Sequence, residues 1–154
     1  GRARHTAELI AAEHHRIREE TGLRERHYGV FQGLSKASIP GQYPDVWRAY
    51  RSGDPDYAVP EGESQRHFVD RVVSTFERLA DIHDGERIVC VSHGGTLGAF
   101  VKHVLGLAVD APRPYDIGNT SLTIIERRAE RWMIRTLAEL AHLGELPSAN
   151  QTEG

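Results

Sequence analysis

Apolar residues recur at helical spacing in two clear blocks of the chain. Phe68, Val69, Val72, Val73, Phe76 and Leu79 trace one face of a helix that Ser64 would cap and Asp84-Gly85 would end. Leu97, Phe100, Val101, Val104 and Leu105 mark a second helix, closed by Gly106. Between them, Ile88-Val-Cys-Val91 is a continuous apolar run, which predicts a strand buried on both faces. That run enters Ser92-His93-Gly94-Gly95, where the glycine pair permits a tight turn and the close approach of a ligand. A helix from about Thr96 would point unpaired N–H groups at this turn, a suitable place for an anion. His93 is therefore expected at the carboxyl end of a central strand, beside an oxyanion cradle.

The remaining pattern is weaker. Ala3, Ala7, Ile10, His14 and Ile17 fall on one helical stripe. A helix already under way at Gly1 reads as a chain that starts inside an element. Arg2 and Arg4 are unfavourable at a helix start unless an anion is bound there. Residues 17–26 read as a short strand broken by Gly22, followed by the charged and aromatic run Arg24-Glu-Arg-His-Tyr28. Residues 34–63 read as a long connection, of the kind that forms lids, with a short helix opened by Pro44. Leu122, Ile124, Trp132 and Ile134 show the period of two strands, with a hairpin turn over Arg127 to Glu130. The order of elements indicates an α/β fold, a three-layer α/β/α sandwich with a mostly parallel central sheet. One domain is expected over residues 1–146, with a flexible tail over 147–154.

Composition narrows the class. An apolar share of 39% against 27% charged residues is that of a soluble globular protein. A net charge of −3 supplies no general attraction to nucleic acid or to an anionic membrane, and neither partner is expected. The single Cys90 cannot form an internal disulfide, which suits the cytoplasm, and it reads as a small core residue. Nine histidines raise the question of a metal, but none has the spacing of a metal site. No metal and no cofactor are expected. Self-association into a homo-oligomer is compatible with the sequence.

Four short motifs then stand in a telling order: Arg2-Ala-Arg-His-Thr6-Ala, Glu25-Arg-His-Tyr28-Gly, Gly62-Glu-Ser64 and Val91-Ser-His93-Gly-Gly. Together they resemble the histidine phosphatase superfamily, in its phosphoglycerate mutase-like branch. The resemblance implies catalytic roles for Arg2, Glu25 and His93. Arg2 would hold phosphate oxygens through its planar fork, and His93 would donate to the phosphoryl group. Glu25 would protonate the leaving oxygen and then take a proton from the attacking water. Tyr28 and Gly94 would face the substrate. Arg24 and Arg26 would be orienting or surface groups.

The family's Arg-His-Gly nucleophile motif occurs nowhere in these 154 residues. The chain is accordingly expected to lack an N-terminal strand and nucleophile loop, to be inactive alone, and to be unstable or aggregation-prone in isolation. The implied activity is hydrolysis of a small phosphorylated metabolite through a phosphohistidine. A cofactor-dependent mutase is the alternative; it would call for a longer and more basic lid than residues 32–62 provide. If the natural chain begins at Gly1, a non-catalytic phosphate-ester binding domain is the reading instead. Tyr43, Trp47, Tyr50 and Tyr57 suggest contact with an organic moiety beyond the phosphate.

Overall fold

The computed structural model describes residues 1–11 and 16–144. His14 of the expected stripe and the expected tail at 147–154 lie outside them. The chain divides into two compact units, Gly1–Pro114 and Tyr115–Gly154.

The first unit is helical and built on the two segments with the strongest apolar period. Five helices are described in it: α1 (Arg2–Ala11), α2 (Ile39–Gln42), α3 (Pro44–Arg51), α4 (Gln65–Ile82) and α5 (Gly94–Val104). Helix α4 buries Phe68, Val69 and Val72 as the spacing predicts, and α5 buries Ala99, Phe100 and Val101. Phe76 and Phe100 stack at 4.1 Å between ring centroids, a geometry that adds attraction beyond simple burial.

The start of α4 is fixed by Ser64. Its backbone is extended, and its hydroxyl accepts the N–H of His67 at 3.1 Å. Ser64 is 2% exposed, so water cannot take over that acceptor role. Ser64→Ala is expected to lower stability by about 1 kcal/mol, read from the urea unfolding midpoint.

A second cluster lies in the stretch expected to be a long connection. Phe31, Ile39 and Val59 form its buried centre, and Tyr28, Tyr43, Trp47 and Tyr50 pack around them. Phe31 meets Tyr43, Trp47 and Tyr50 at 5.8–6.1 Å. The stretch expected to be a long connection is thus a small packed core in which these partly buried rings meet one another.

Three other expectations are corrected. Ile88–Ser92 is not a strand: Ile88 is 41% and Val89 74% exposed. A strand needs a hydrogen-bonded neighbour, and none of the described residues pairs with this run. Residues 17–26 likewise form no strand; Thr21–Leu23 is a short 3-10 turn, after which Arg24 is extended. The stripe on α1 buries nothing, with Leu9 71% and Ile10 58% exposed, and Ile17 lies beyond the helix.

The second unit is an antiparallel hairpin of β1 (Leu122–Arg128) and β2 (Arg131–Glu139). The expected strand pair is present. Its turn is tighter than the expected four residues, because Arg128 already pairs with Arg131. Ala129 and Glu130 make the reversal, both at positive φ (44° and 65°), as the right-handed twist of a two-residue turn requires. This antiparallel pair is the sheet found among the described residues.

Candidate active site

The chemistry-bearing residues come together where the segment that follows the Thr21–Leu23 turn passes the first turn of α5. His93 is the N-cap of α5, with φ −117° and ψ 153°, and is half-buried. Gly94 and Gly95 form the first turn. Glu25 reaches this turn: its Oε2 accepts the N–H of Gly95 at 3.0 Å, and its Oε1 accepts the N–H of Arg26 at 2.9 Å. The glycine is needed for that approach. A Cβ on Gly95 would overlap Oε1 of Glu25 and stand 2.7 Å from Oε2. A carboxylate at a helix N-terminus is also favoured by the helix dipole.

Tyr28 follows one step later, half-buried, with Arg26 over its ring at 5.1 Å. Burial, helped by neighbouring Tyr50, pushes its phenol above the ordinary tyrosine value. Its hydroxyl therefore stays protonated and available as a donor at neutral pH. Gly94 is exposed beside His93. Arg2 lies exposed in the first turn of α1, and no hydrogen bond ties it to Glu25 or His93 among the described residues. The structure thus joins Glu25 to the His93 turn.

Arg26 is not a surface group. It is 7% exposed, its Nε donates to the Glu63 carbonyl at 3.2 Å and its Nη1 to Gln65 Oε1 at 2.6 Å. The rings of Tyr28 and Tyr50 cover its guanidinium, so a cation is buried with both polar partners and aromatic faces. Arg24 is exposed.

Glu63 and Arg71, which pattern reading did not single out, hold the segment carrying Glu25. Arg71 donates Nε and Nη2 to Glu63 at 3.1 and 2.7 Å, and its Nη1 to the carbonyls of Gly22 and Arg24 at 2.7 and 3.1 Å. Glu63 Oε1 also accepts the N–H of His27 at 2.9 Å, and the Glu63 N–H donates to the His27 carbonyl at 3.0 Å. No helical spacing marks this pair: Glu63 stands outside α4, before its Ser64 cap, and eight positions exceeds the three- and four-residue reach along a helix.

Burial pushes the Glu63 carboxyl up, but the Arg71 fork, the His27 N–H and Arg24 outweigh it and hold it below the ordinary glutamate value. A carboxyl depressed in the folded state stabilises the fold above its unfolded pKa of about 4.3, and that stability is lost as pH falls through the folded value. Glu63→Gln is expected to be about 2 kcal/mol less stable than the parent at pH 7, between an exposed and a buried pair. The gap should shrink toward pH 3. Urea midpoints measured across that range check it; a gap independent of pH would refute the assignment.

A separate cavity of about 360 Å³ lies between α4 and α5, with Lys102 and His103 on its wall. Lys102 is 7% exposed and donates to the Val109 carbonyl at 2.6 Å, and burial lowers its ammonium pKa. None of the residues gathered around Glu25 lines this cavity. Cys90 is half-buried, and its burial raises the thiol above the usual cysteine value.

The family profile of the histidine phosphatase superfamily (branch 1) matches residues 1–140. The chain belongs to that superfamily. A relative from Escherichia coli O1:K1, named probable phosphoglycerate mutase GpmB, is 34% identical over 149 residues, covering 93% of this chain and 69% of the relative. Among solved structures, Bacillus stearothermophilus YhfR superposes with a TM-score of 0.79 at 26% identity, covering 93% of this chain and 72% of the other. A mycobacterial glucosyl-3-phosphoglycerate phosphatase superposes at 0.69 with 28% identity, covering 89% and 73%.

Proposed function

We propose that this chain carries the acid and phosphate-binding side of a cytoplasmic phosphomonoester hydrolase that acts on a small phosphorylated metabolite through a phosphohistidine. The observation that carries the reading is the Gly95 N–H donating to Glu25 at 3.0 Å. The donor is the second residue after His93, so the Glu25 carboxylate meets the same helix start, one suited to an anion. In this reading His93 donates to the phosphoryl oxygens and Arg2 neutralises their charge. Glu25 gives a proton to the leaving oxygen and later removes one from water. Tyr28 and Gly94 meet the substrate. The phosphorylated imidazole is not assigned to any of these 154 residues, since none stands in an Arg-His-Gly run. The three-layer sandwich with a mostly parallel sheet is the arrangement this reading carries for the complete domain.

Mutase chemistry is the second reading, favoured by the relative named as a probable phosphoglycerate mutase. Against it stands the charge balance of residues 32–62, where Lys36, Arg48 and Arg51 are outnumbered by Asp45, Asp54, Asp56 and Glu61. The test is phosphate release by the full-length protein from a panel of phosphorylated metabolites, run with and without a bisphosphoglycerate. Release without the bisphosphate supports the hydrolase. Isomerisation that requires it supports the mutase, and neither activity would leave the binding-domain reading.

A further inference from the structure

Glu25 and His93 are 68 positions apart, and no backbone–backbone hydrogen bond joins residues 22–27 to 91–96 among the described residues. Their spacing is set by side chains. Ser92 Oγ donates to the Leu23 carbonyl at 2.6 Å, and Thr96 Oγ1 donates to the Arg24 carbonyl at 3.1 Å. The two hydroxyls flank His93-Gly94-Gly95, and the two carbonyls they bind immediately precede Glu25. Thr96 is 0% exposed, so this hydroxyl sits where water does not compete.

We propose that Ser92 and Thr96 are positioning residues, a pair of hydroxyl staples that fix the register of Leu23–Glu25 against His93. Each staple alone permits the segment to pivot; two of them, bracketing the histidine, fix both displacement and tilt. The Glu25 carboxylate then meets the Gly95 N–H as a consequence of the register rather than as its sole cause. Misplacement of an acid by about 1 Å can cost on the order of 100-fold in rate. The proposal rests on the reading of Glu25 as the proton donor.

Thr96→Val is the cleaner variant, because the Arg24 carbonyl keeps its bond from Arg71 at 3.1 Å and is not orphaned. In the full-length protein, Thr96→Val is expected to lower kcat about tenfold or more while KM stays within about twofold. Thr96→Ser, which restores the hydroxyl, should recover most of the loss. In a Glu25→Gln background, Thr96→Val should add little, because the group it positions has lost its proton. An unchanged kcat, or the same fold-loss with and without the Glu25 carboxyl, would overturn the proposal. Ser92→Ala against Ser92→Thr makes the same comparison if Thr96→Val does not fold. An unaffected kcat in Glu25→Gln alone would instead remove the acid reading, and the purpose of the staples with it.

Discussion

Glu25→Gln in the full-length protein is expected to reduce kcat by about 10²–10⁴-fold, the range of general acid–base catalysis. The loss in kcat/KM, which reports phosphoryl transfer to the imidazole and not the later hydrolysis common to all substrates, should depend on the leaving group. A phosphorylated aliphatic alcohol needs its oxygen protonated as the bond breaks, whereas an aryl phosphate releases a stable phenolate and needs little help. The variant should therefore fail on the first and be much less affected on the second. Such a contrast is needed because Gln is not structurally silent here. Both Glu25 oxygens accept backbone N–H groups, from Arg26 and Gly95, and an amide must turn its NH₂ toward one of them. Displacement of the side chain would slow all substrates alike. Equal losses of kcat/KM across leaving groups would therefore count against the acid role.

Gly29→Ala is expected to destabilise the first unit by about 3 kcal/mol or more. Gly29 has φ +52°, and a Cβ there would overlap the Pro60 carbonyl oxygen and stand 2.5 Å from the Gly62 nitrogen. Both obstacles are backbone, and Pro60 is bound in turn by the Val30 N–H at 3.0 Å. No side chain can swing aside to relieve the overlap. Gly33 supplies the control. It has φ +77° with nothing within 4 Å of a built Cβ, so Gly33→Ala should cost only the backbone strain, about 1 kcal/mol. The difference between the two urea midpoints measures crowding alone; equal midpoints would show that Pro60 yields easily.

Helices α4 and α5 were legible in the sequence because their apolar faces, and the Ser64 cap, are local. The hairpin was legible for the same reason. Residues 88–91 were read as a buried strand, but an apolar run records only what a segment tends to bury. Whether a neighbour pairs with it is a non-local fact, and here Ile88 and Val89 stand exposed. Composition equally gives no sign that Phe31 gathers Tyr43, Trp47 and Tyr50 into one packed cluster. Arg26 was equally opaque: its burial depends on Gln65 and on Tyr50, far along the chain. At the site, Glu25 and His93 were connected through a family resemblance, not through periodicity. The residues that fix their geometry, Ser92, Thr96, Glu63 and Arg71, act mainly through backbone groups, which carry no mark in a one-dimensional pattern.

The two backbone donors on Glu25 have a stereochemical consequence. Each carboxylate oxygen has two lone pairs, and one on each is already directed at a peptide N–H. A proton delivered to or from this group must use the other lobe of either oxygen. In the proposed acid role, Glu25 would serve an alcohol oxygen only through the lobe left open on either carboxylate oxygen. The direction from which a leaving group can be protonated would then be restricted by two peptide bonds rather than by the carboxyl alone.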